Sequence, residues 1–175
     1  MRIAFVLALL LSSCSAVTPR NESHFGPVEG ESLLAVGGSY SRINPDVGQT
    51  ATLVTAQTAL GYFLTAEHEV GGTILVGRAD SGNTEAETTA VLPYYNFNYR
   101  QSSRTWYYVG PHLGVVNTVA KSGGLKSDDT NVSIGVHGGI RQWLTPNSAL
   151  YLEPRLTFNS DASDFTILFG VNFTL

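Results

Sequence analysis

The stretch Phe165-Thr166-Ile167-Leu168-Phe169-Gly170-Val171-Asn172-Phe173-Thr174-Leu175 decides how the rest of the chain is read. Large apolar side chains occupy every odd position, and between them lie Thr166, Leu168, Gly170, Asn172 and Thr174. A strand turns successive side chains to opposite faces, so this two-residue rhythm predicts one strongly apolar face and one mostly small or polar face. The rhythm continues toward the N-terminus. Leu150, Leu152, Leu156 and Phe158 alternate with Tyr151, Glu153, Arg155 and Thr157. Val132, Ile134, Val136, Ile140 and Leu144 oppose Ser133, Gly135, His137 and Arg141, and Tyr107, Val109, Leu113 and Val115 oppose Tyr108, Gly110, His112 and Gly114. Further strands are predicted near 87–99, 68–79, 50–63 and 32–43.

The charges say which face is which. Glu69, His112, His137, Arg141, Glu153 and Arg155 all fall opposite the apolar stripes. An arginine facing hydrocarbon near the bilayer midplane costs about 2–4 kcal/mol, whereas inside a closed sheet it can pair. The expected fold is therefore all-β, an eight-stranded antiparallel up-and-down transmembrane barrel over residues 32–175, with these six residues forming a polar network in the lumen. Glu69 and Glu153 are expected to pair with Arg141 or Arg155, with the histidines nearby. Eight strands leave an interior just wide enough for side chains, so a structural polar core is the first expectation and a narrow ion path the alternative. A soluble ligand carrier built as a barrel would reverse the faces, with apolar residues inside.

Composition agrees with dispersed rather than continuous apolarity. Charged residues are 14% of the chain, against roughly 25% in an ordinary soluble domain. The 18 glycines recur within alternating segments, at Gly37-Gly38, Gly71-Gly72 and Gly138-Gly139, where they permit curvature and close approach. The formal net charge of −4 argues against a nucleic-acid partner.

Connections are predicted to alternate. Those at 64–67, 100–105 and 145–148 are short, while 44–49, 80–86, 120–128 and 159–163 are mostly longer and polar. Short turns on one side and longer loops on the other fit a barrel crossing a membrane, and an even strand number puts both ends of the barrel on the short-turn side. Tyr62, Phe63, Tyr94, Tyr95, Phe97, Tyr99, Trp106, Tyr107, Tyr108, Trp143 and Phe173 lie near the short turns and read as an interfacial aromatic girdle. Pro93, Pro111 and Pro154 fall inside predicted strands, each removing a ladder donor, so bulges or strand ends are expected there.

The N-terminus reads as an export signal, residues 1–16. Met1-Arg2 is a short positive region and Ile3–Leu11 an apolar segment too short to span a bilayer as a helix. Leu11-Ser12-Ser13-Cys14 resembles the lipobox of bacterial lipoproteins, which implies acylation of Cys14, and Ser15 then fits outer-membrane sorting; ordinary cleavage near Ala16 is the alternative. As the only cysteine, Cys14 cannot form an intramolecular disulfide. Residues 17–31, with Pro19, Gly26, Pro27 and Gly30, read as a flexible tether.

From residue 32 onward the chain resembles the outer-membrane-protein β-barrel domain family, the small barrels akin to the opacity proteins and the OmpA membrane domain. The residues that carry the resemblance are Gly61-Tyr62-Phe63-Leu64-Thr65 with Glu69-Val70-Gly71-Gly72, Pro93-Tyr94-Tyr95-Asn96-Phe97, Tyr107-Tyr108-Val109-Gly110-Pro111-His112-Leu113-Gly114, Trp143-Leu144-Thr145-Pro146-Asn147 and the ending Phe169-Gly170-Val171-Asn172-Phe173-Thr174-Leu175. The resemblance implies outer-membrane lipid and lipopolysaccharide as surroundings, handling by the barrel-assembly machinery, and a monomer with both mature termini in the periplasm. Family members commonly end in an aromatic; here the last residue is Leu175, with Phe173 on the same face.

Chemistry is not indicated. His112 and His137 have Leu113-Gly114 and Gly138-Gly139 as sequence neighbours, with no nucleophile paired to either, and the four histidines lack metal-ligand spacing. Neither a phosphate loop nor a cofactor motif is present. The acidic runs 80–87 and Asp128-Asp129 are candidates for a partner or for a divalent cation bridging lipopolysaccharide. The expected role is non-enzymatic: structural, adhesive or surface-interacting, through loops exposed outside the cell.

Overall fold

The computed structural model describes residues 24–43, 51–159 and 163–175. The expected export signal, Cys14 and the first part of the expected tether lie outside the described residues, as do 44–50 and 160–162. Eight strands follow in chain order: β1 (Ser32–Ile43), β2 (Ala51–Phe63), β3 (His68–Ser81), β4 (Thr84–Arg100), β5 (Thr105–Ser122), β6 (Leu125–Thr145), β7 (Ser148–Phe158) and β8 (Ser163–Thr174). Each pairs antiparallel with the next, and β1 pairs with β8 from Leu33↔Thr174 to Gly38↔Phe169, closing the sheet. Closure removes the free edges where all eight strands run together, and beyond that level, among the described residues, Leu125–Ser133 of β6 pairs with β5 alone.

The alternation read from sequence sets the two faces. Phe165, Ile167, Phe169 and Phe173 point outward, as do Leu150 and Leu152, Val132, Ile134 and Val136, and Val109, Leu113 and Val115. Leu168, Asn172 and Thr174 are buried inside, with Tyr151, Glu153 and Arg155 beside them. The apolar exterior and charged interior invert the pattern of a water-soluble barrel, which rules out the reversed-face carrier. Hydrocarbon is the solvent in which such an exterior is stable.

Three expectations change. First, 80–86 and 120–128 are not long loops. β3 and β4 meet at the two-residue turn Gly82-Asn83, and β5 and β6 at Gly123-Gly124. Gly82 alone has positive φ (54°) in its turn, while Gly123 and Gly124 both do (56° and 86°), the backbone signs of the tight hairpin turns whose twist matches the strands. Crossing hydrocarbon takes about 9–11 tilted residues. β5 has 18 and β6 has 21, so both run well past the apolar band; β5 stays laddered to β4 as far as Thr84↔Ser122, and β6 from Leu125 to Ser133 pairs, among the described residues, with β5 alone. Residues 125–130 are exposed on both faces.

Second, the prolines need no bulge. Pro93, Pro111 and Pro154 all face outward. The β4–β5 pairing lapses between Val91↔Val115 and Tyr94↔His112 and again before Phe97↔Val109; the β6–β7 pairing lapses between His137↔Arg155 and Ile140↔Leu152. Register is the same on either side of each lapse, and the register shift in β6–β7 falls elsewhere, between Trp143 and Thr145. The missing donors thus open short gaps without moving a strand.

Third, residues 24–31, the second half of the expected tether, are seated across the short-turn end of the barrel. Gly26 N–H donates to Pro146 O (3.0 Å), Gly30 N–H to Phe63 O (2.9 Å), and Phe63 N–H to Glu31 O (3.0 Å). Val28 N–H donates to the Glu31 carboxylate at 2.9 Å. Pro27 is fully buried, and Phe25 packs on the apolar cluster of Leu33, Phe63, Trp106, Trp143 and Ala149.

Candidate functional site: the barrel interior

The interior has three storeys. At the short-turn end the storey is aromatic. Trp106 and Trp143 meet edge-on at 5.6 Å between ring centroids, and Phe63 meets Trp106 edge-on at 6.4 Å. All three are fully buried, so they are not part of an outer girdle. In a strand only alternate residues can face lipid, so each run of adjacent aromatics splits. Tyr62, Tyr95, Phe97, Tyr99, Tyr107 and Phe173 remain outside, while Phe63, Tyr94, Trp106, Tyr108 and Trp143 turn inward or are buried. Gly26, with φ of +83°, lies flat on the two indoles: a Cβ there would sit 2.6 Å from Trp106 and 2.8 Å from Trp143. The Arg100 guanidinium lies 4.2 Å over the Trp106 ring and donates to Pro27 O, and Arg104 lies 4.8 Å over Phe25. These cation–π contacts clamp the segment 24–31 onto the plug.

The middle storey holds the six residues named from sequence, and all six are buried. Glu69 of β3 accepts from Arg141 Nη1 (2.9 Å) and Nη2 (3.3 Å), the fork geometry in which guanidinium and carboxylate match best. Tyr94 O–H donates to the same carboxylate at 2.8 Å, and the Asn96 and Asn98 amides donate at 3.3 and 3.4 Å. Arg141 Nη1 also donates to Asn98 Oδ1 (2.8 Å), and its guanidinium lies 4.2 Å over the Tyr108 ring. Glu153 takes Nε and Nη2 of Arg155 at 3.1 and 2.5 Å, and the Tyr108 hydroxyl at 2.8 Å. The two carboxylates and two guanidiniums balance, and Tyr108 links the pairs.

The histidines form a chain. His112 Nδ1 meets His137 Nδ1 at 3.3 Å, His137 Nε2 meets Asn96 Oδ1 at 2.7 Å, and His112 Nε2 meets Thr157 Oγ1 at 3.2 Å. For two neutral rings the contacts are all made when Thr157 donates to His112, His112 Nδ1–H to His137, and His137 Nε2–H to Asn96. Asn96 in turn donates to Glu69, so the chain runs from a hydroxyl to a buried carboxylate. A hydroxyl–imidazole contact exists, which sequence reading missed. The ring's other nitrogen faces a second imidazole, not the acid that orients a catalytic histidine.

Glycines make this packing possible. A Cβ on Gly61 would fall 2.3 Å from Glu69 Oε1, and one on Gly71 2.5 Å from the Tyr94 ring, so Tyr94 lies where both lack a side chain. The network fills its level almost completely, leaving about 20 Å³. That is room for roughly one water, since about 10–15 Å³ admits one. With the plug beneath it, side chains fill the lumen at two successive levels.

The third storey, toward the hairpins, is different. It encloses a cavity of about 250 Å³ between β2, β3, β4, β5, β7 and β8, with Arg155 and Thr157 among its lining residues. Among the described residues no group of three or more His, Cys, Asp or Glu could hold a metal ion, the acidic hairpin residues included.

A closed, antiparallel, eight-stranded sheet with an apolar exterior and paired charges inside defines the class: this chain has the fold of the small outer-membrane β-barrels. Among solved structures it is similar to Ail, the attachment invasion locus protein of Yersinia pestis (17% identity, TM-score 0.64, covering 85% of this chain and 100% of that one). It is similar also to Neisserial surface protein A (16%, 0.64, 85% and 99%) and to the N-terminal β-barrel domain of Pseudomonas aeruginosa OprF (16%, 0.61, 85% and 98%). No protein-family model matches the chain, and no curated relative matches its sequence.

Proposed function

We propose that this protein is a non-enzymatic barrel of the outer membrane, whose sealed interior makes it a rigid mount for hairpins displayed outside the cell. The observation that carries the reading is the contrast along β5 and β6. Their lower parts alternate between apolar outside and buried inside, and residues 125–130 are exposed on both faces. Only a segment that has left the hydrocarbon can be polar on both faces of a sheet. Closure of the sheet by β1–β8 pairing favours a monomer in outer-membrane lipid and lipopolysaccharide, assembled by the barrel-assembly machinery. Both ends of the described chain lie on the short-turn side: Leu175 N–H donates to Ser32 O, and 24–31 covers that mouth. This supports a periplasmic position for the termini, consistent with an acylated Cys14 anchored in the inner leaflet.

Interaction rather than transport follows from the shut lumen. Ail is by name an attachment protein and has been crystallised with a heparin analogue, sucrose octasulfate. The β3–β4 hairpin here carries Asp80, Glu85 and Glu87 against Arg78, which pairs with Asp80 and Glu85 at 3.1 and 3.2 Å. Such a tip repels a polysulfate, so the β3–β4 hairpin suits a neutral or cationic partner surface, while the β5–β6 hairpin sets Lys121 and Lys126 against Asp128 and Asp129 and is balanced in charge. Epitope insertion at Gly123-Gly124 tests the arrangement. Antibody should label intact cells, whereas a tag in the 101–104 turn should be reached only after permeabilisation; the opposite pattern overturns the reading.

A further inference from the structure

We infer that the hairpin-side cavity is a binding site for a small amphiphile, an apolar body carrying a terminal carboxylate, with Arg155 at its floor. The inference goes beyond display of the hairpins and does not depend on what they touch. Its first support is the wall. Leu53, Leu75, Leu92, Val116 and Leu168 line the interior at this level, interspersed with Thr55, Thr88, Thr118 and Thr166, whose methyl groups add to the apolar surface. Leu92 and Leu168 are buried, at 3% and 0% exposure, on the same inward face that presents Asn96 and Asn172 further down. A surface that is mostly apolar, with a few polar groups set into it, is how small-molecule pockets are built. An apolar cavity of about 150 Å³ accepts benzene. This one, about 250 Å³, accommodates a phenyl ring with a short chain.

The second support is the floor. Arg155 spends Nε and Nη2 on Glu153, and its third arm, Nη1, is buried with no hydrogen-bond partner. The residue is 6% exposed and lines the cavity. A buried guanidinium donor without an acceptor is costly, and a ligand carboxylate at the floor would satisfy it once the side chain turns Nη1 toward the cavity. Thr157, two residues on, adds its hydroxyl to the lining. Asp164 also lines the site, with its carboxylate accepting from Thr166 Oγ1 at 2.7 Å. In register Arg155 faces Thr166 and Thr157 faces Asp164, so Asp164 stands nearer the rim and Arg155 deeper. The rim carboxylate disfavours a doubly charged head, and the deep donor favours a single carboxylate lowered past it.

The test uses the full mature chain folded in lipid nanodiscs, with 3-phenylpropanoate and its cationic counterpart 3-phenylpropylammonium as probes, followed by ligand-detected NMR and calorimetry. The carboxylate should bind saturably, at least about tenfold tighter than the ammonium, on the scale of one charge-assisted hydrogen bond. Arg155→Lys keeps a cation for Glu153 but loses the third arm, and should weaken the carboxylate about tenfold while leaving the barrel folded. Ala90→Phe and Val116→Phe fill the cavity without touching the ion pair, and either should abolish binding. Equal binding of the two probes, binding that survives both filling variants, or no saturation by the carboxylate at millimolar concentration would each overturn the inference.

Discussion

The two ends of the barrel interior are made from the same alternation and come out as opposites. On the short-turn side the inward positions hold Phe63, Trp106 and Trp143, and the segment 24–31 closes over them. On the hairpin side they hold leucines, threonines and alanine, and about 250 Å³ stays open. Strand number sets the diameter, so the sizes of the inward side chains decide which half is solid. The Glu69–Arg141 and Glu153–Arg155 pairs lie between, a floor for one half and a ceiling for the other.

Breaking that partition should have its largest effect where a charge is stranded. Glu69→Ala leaves Arg141 buried without its carboxylate and should lower stability by about 3–5 kcal/mol, read by urea unfolding in lipid vesicles; Glu69→Gln with Arg141→Met should recover most of it. Trp143→Ala, which hollows the solid half, should cost about 3–5 kcal/mol in the same assay. It should still give no resolved conductance in planar bilayers, because the network above it leaves only about 20 Å³. Open-channel steps from this variant would show that the plug alone seals the lumen. Gly26→Ala introduces a Cβ into the indoles at a backbone angle suited to glycine, and should cost about 1–3 kcal/mol and expose 24–31 to protease. Smallest, Gly124→Asn keeps a residue tolerant of positive φ at the hairpin tip and should shift stability by no more than about 0.5 kcal/mol. A larger loss would mean that the hairpin contributes to the fold and does not merely ride on it.

The face of nearly every residue in the membrane band was legible. Alternation places Glu69, His112, His137, Arg141, Glu153 and Arg155 inside, and the structure buries all six. The partners Tyr94, Asn96, Asn98 and Tyr108 were legible by the same parity, since they alternate with the outward Tyr95, Phe97, Tyr99 and Tyr107. Their role was obscured because clustered aromatics suggested a girdle, and a girdle can take only every second one. The hairpins were hidden for another reason. Above the hydrocarbon neither face of the sheet needs apolar side chains, so the two-residue rhythm disappears from 80–86 and 120–128 while the backbone ladder continues. Gly82-Asn83 and Gly123-Gly124 were the surviving signal, a turn signature without flanking alternation. In 24–31, proline and glycine suggested flexibility, although Gly26 is required by close approach to Trp106 and not by freedom of the chain.

By itself the sequence determined the strand rhythm, the number of strands and which side chains avoid lipid, because a pleated backbone allows two faces and hydrocarbon tolerates ionised groups on only one. Which carboxylate meets which guanidinium, where the lumen is filled and where it is hollow, and that Arg155 keeps one arm free were decided by closure. Those depend on strand stagger and on distances across the barrel, quantities that bring together residues as far apart as Glu69 and Arg141 and leave no trace in local order.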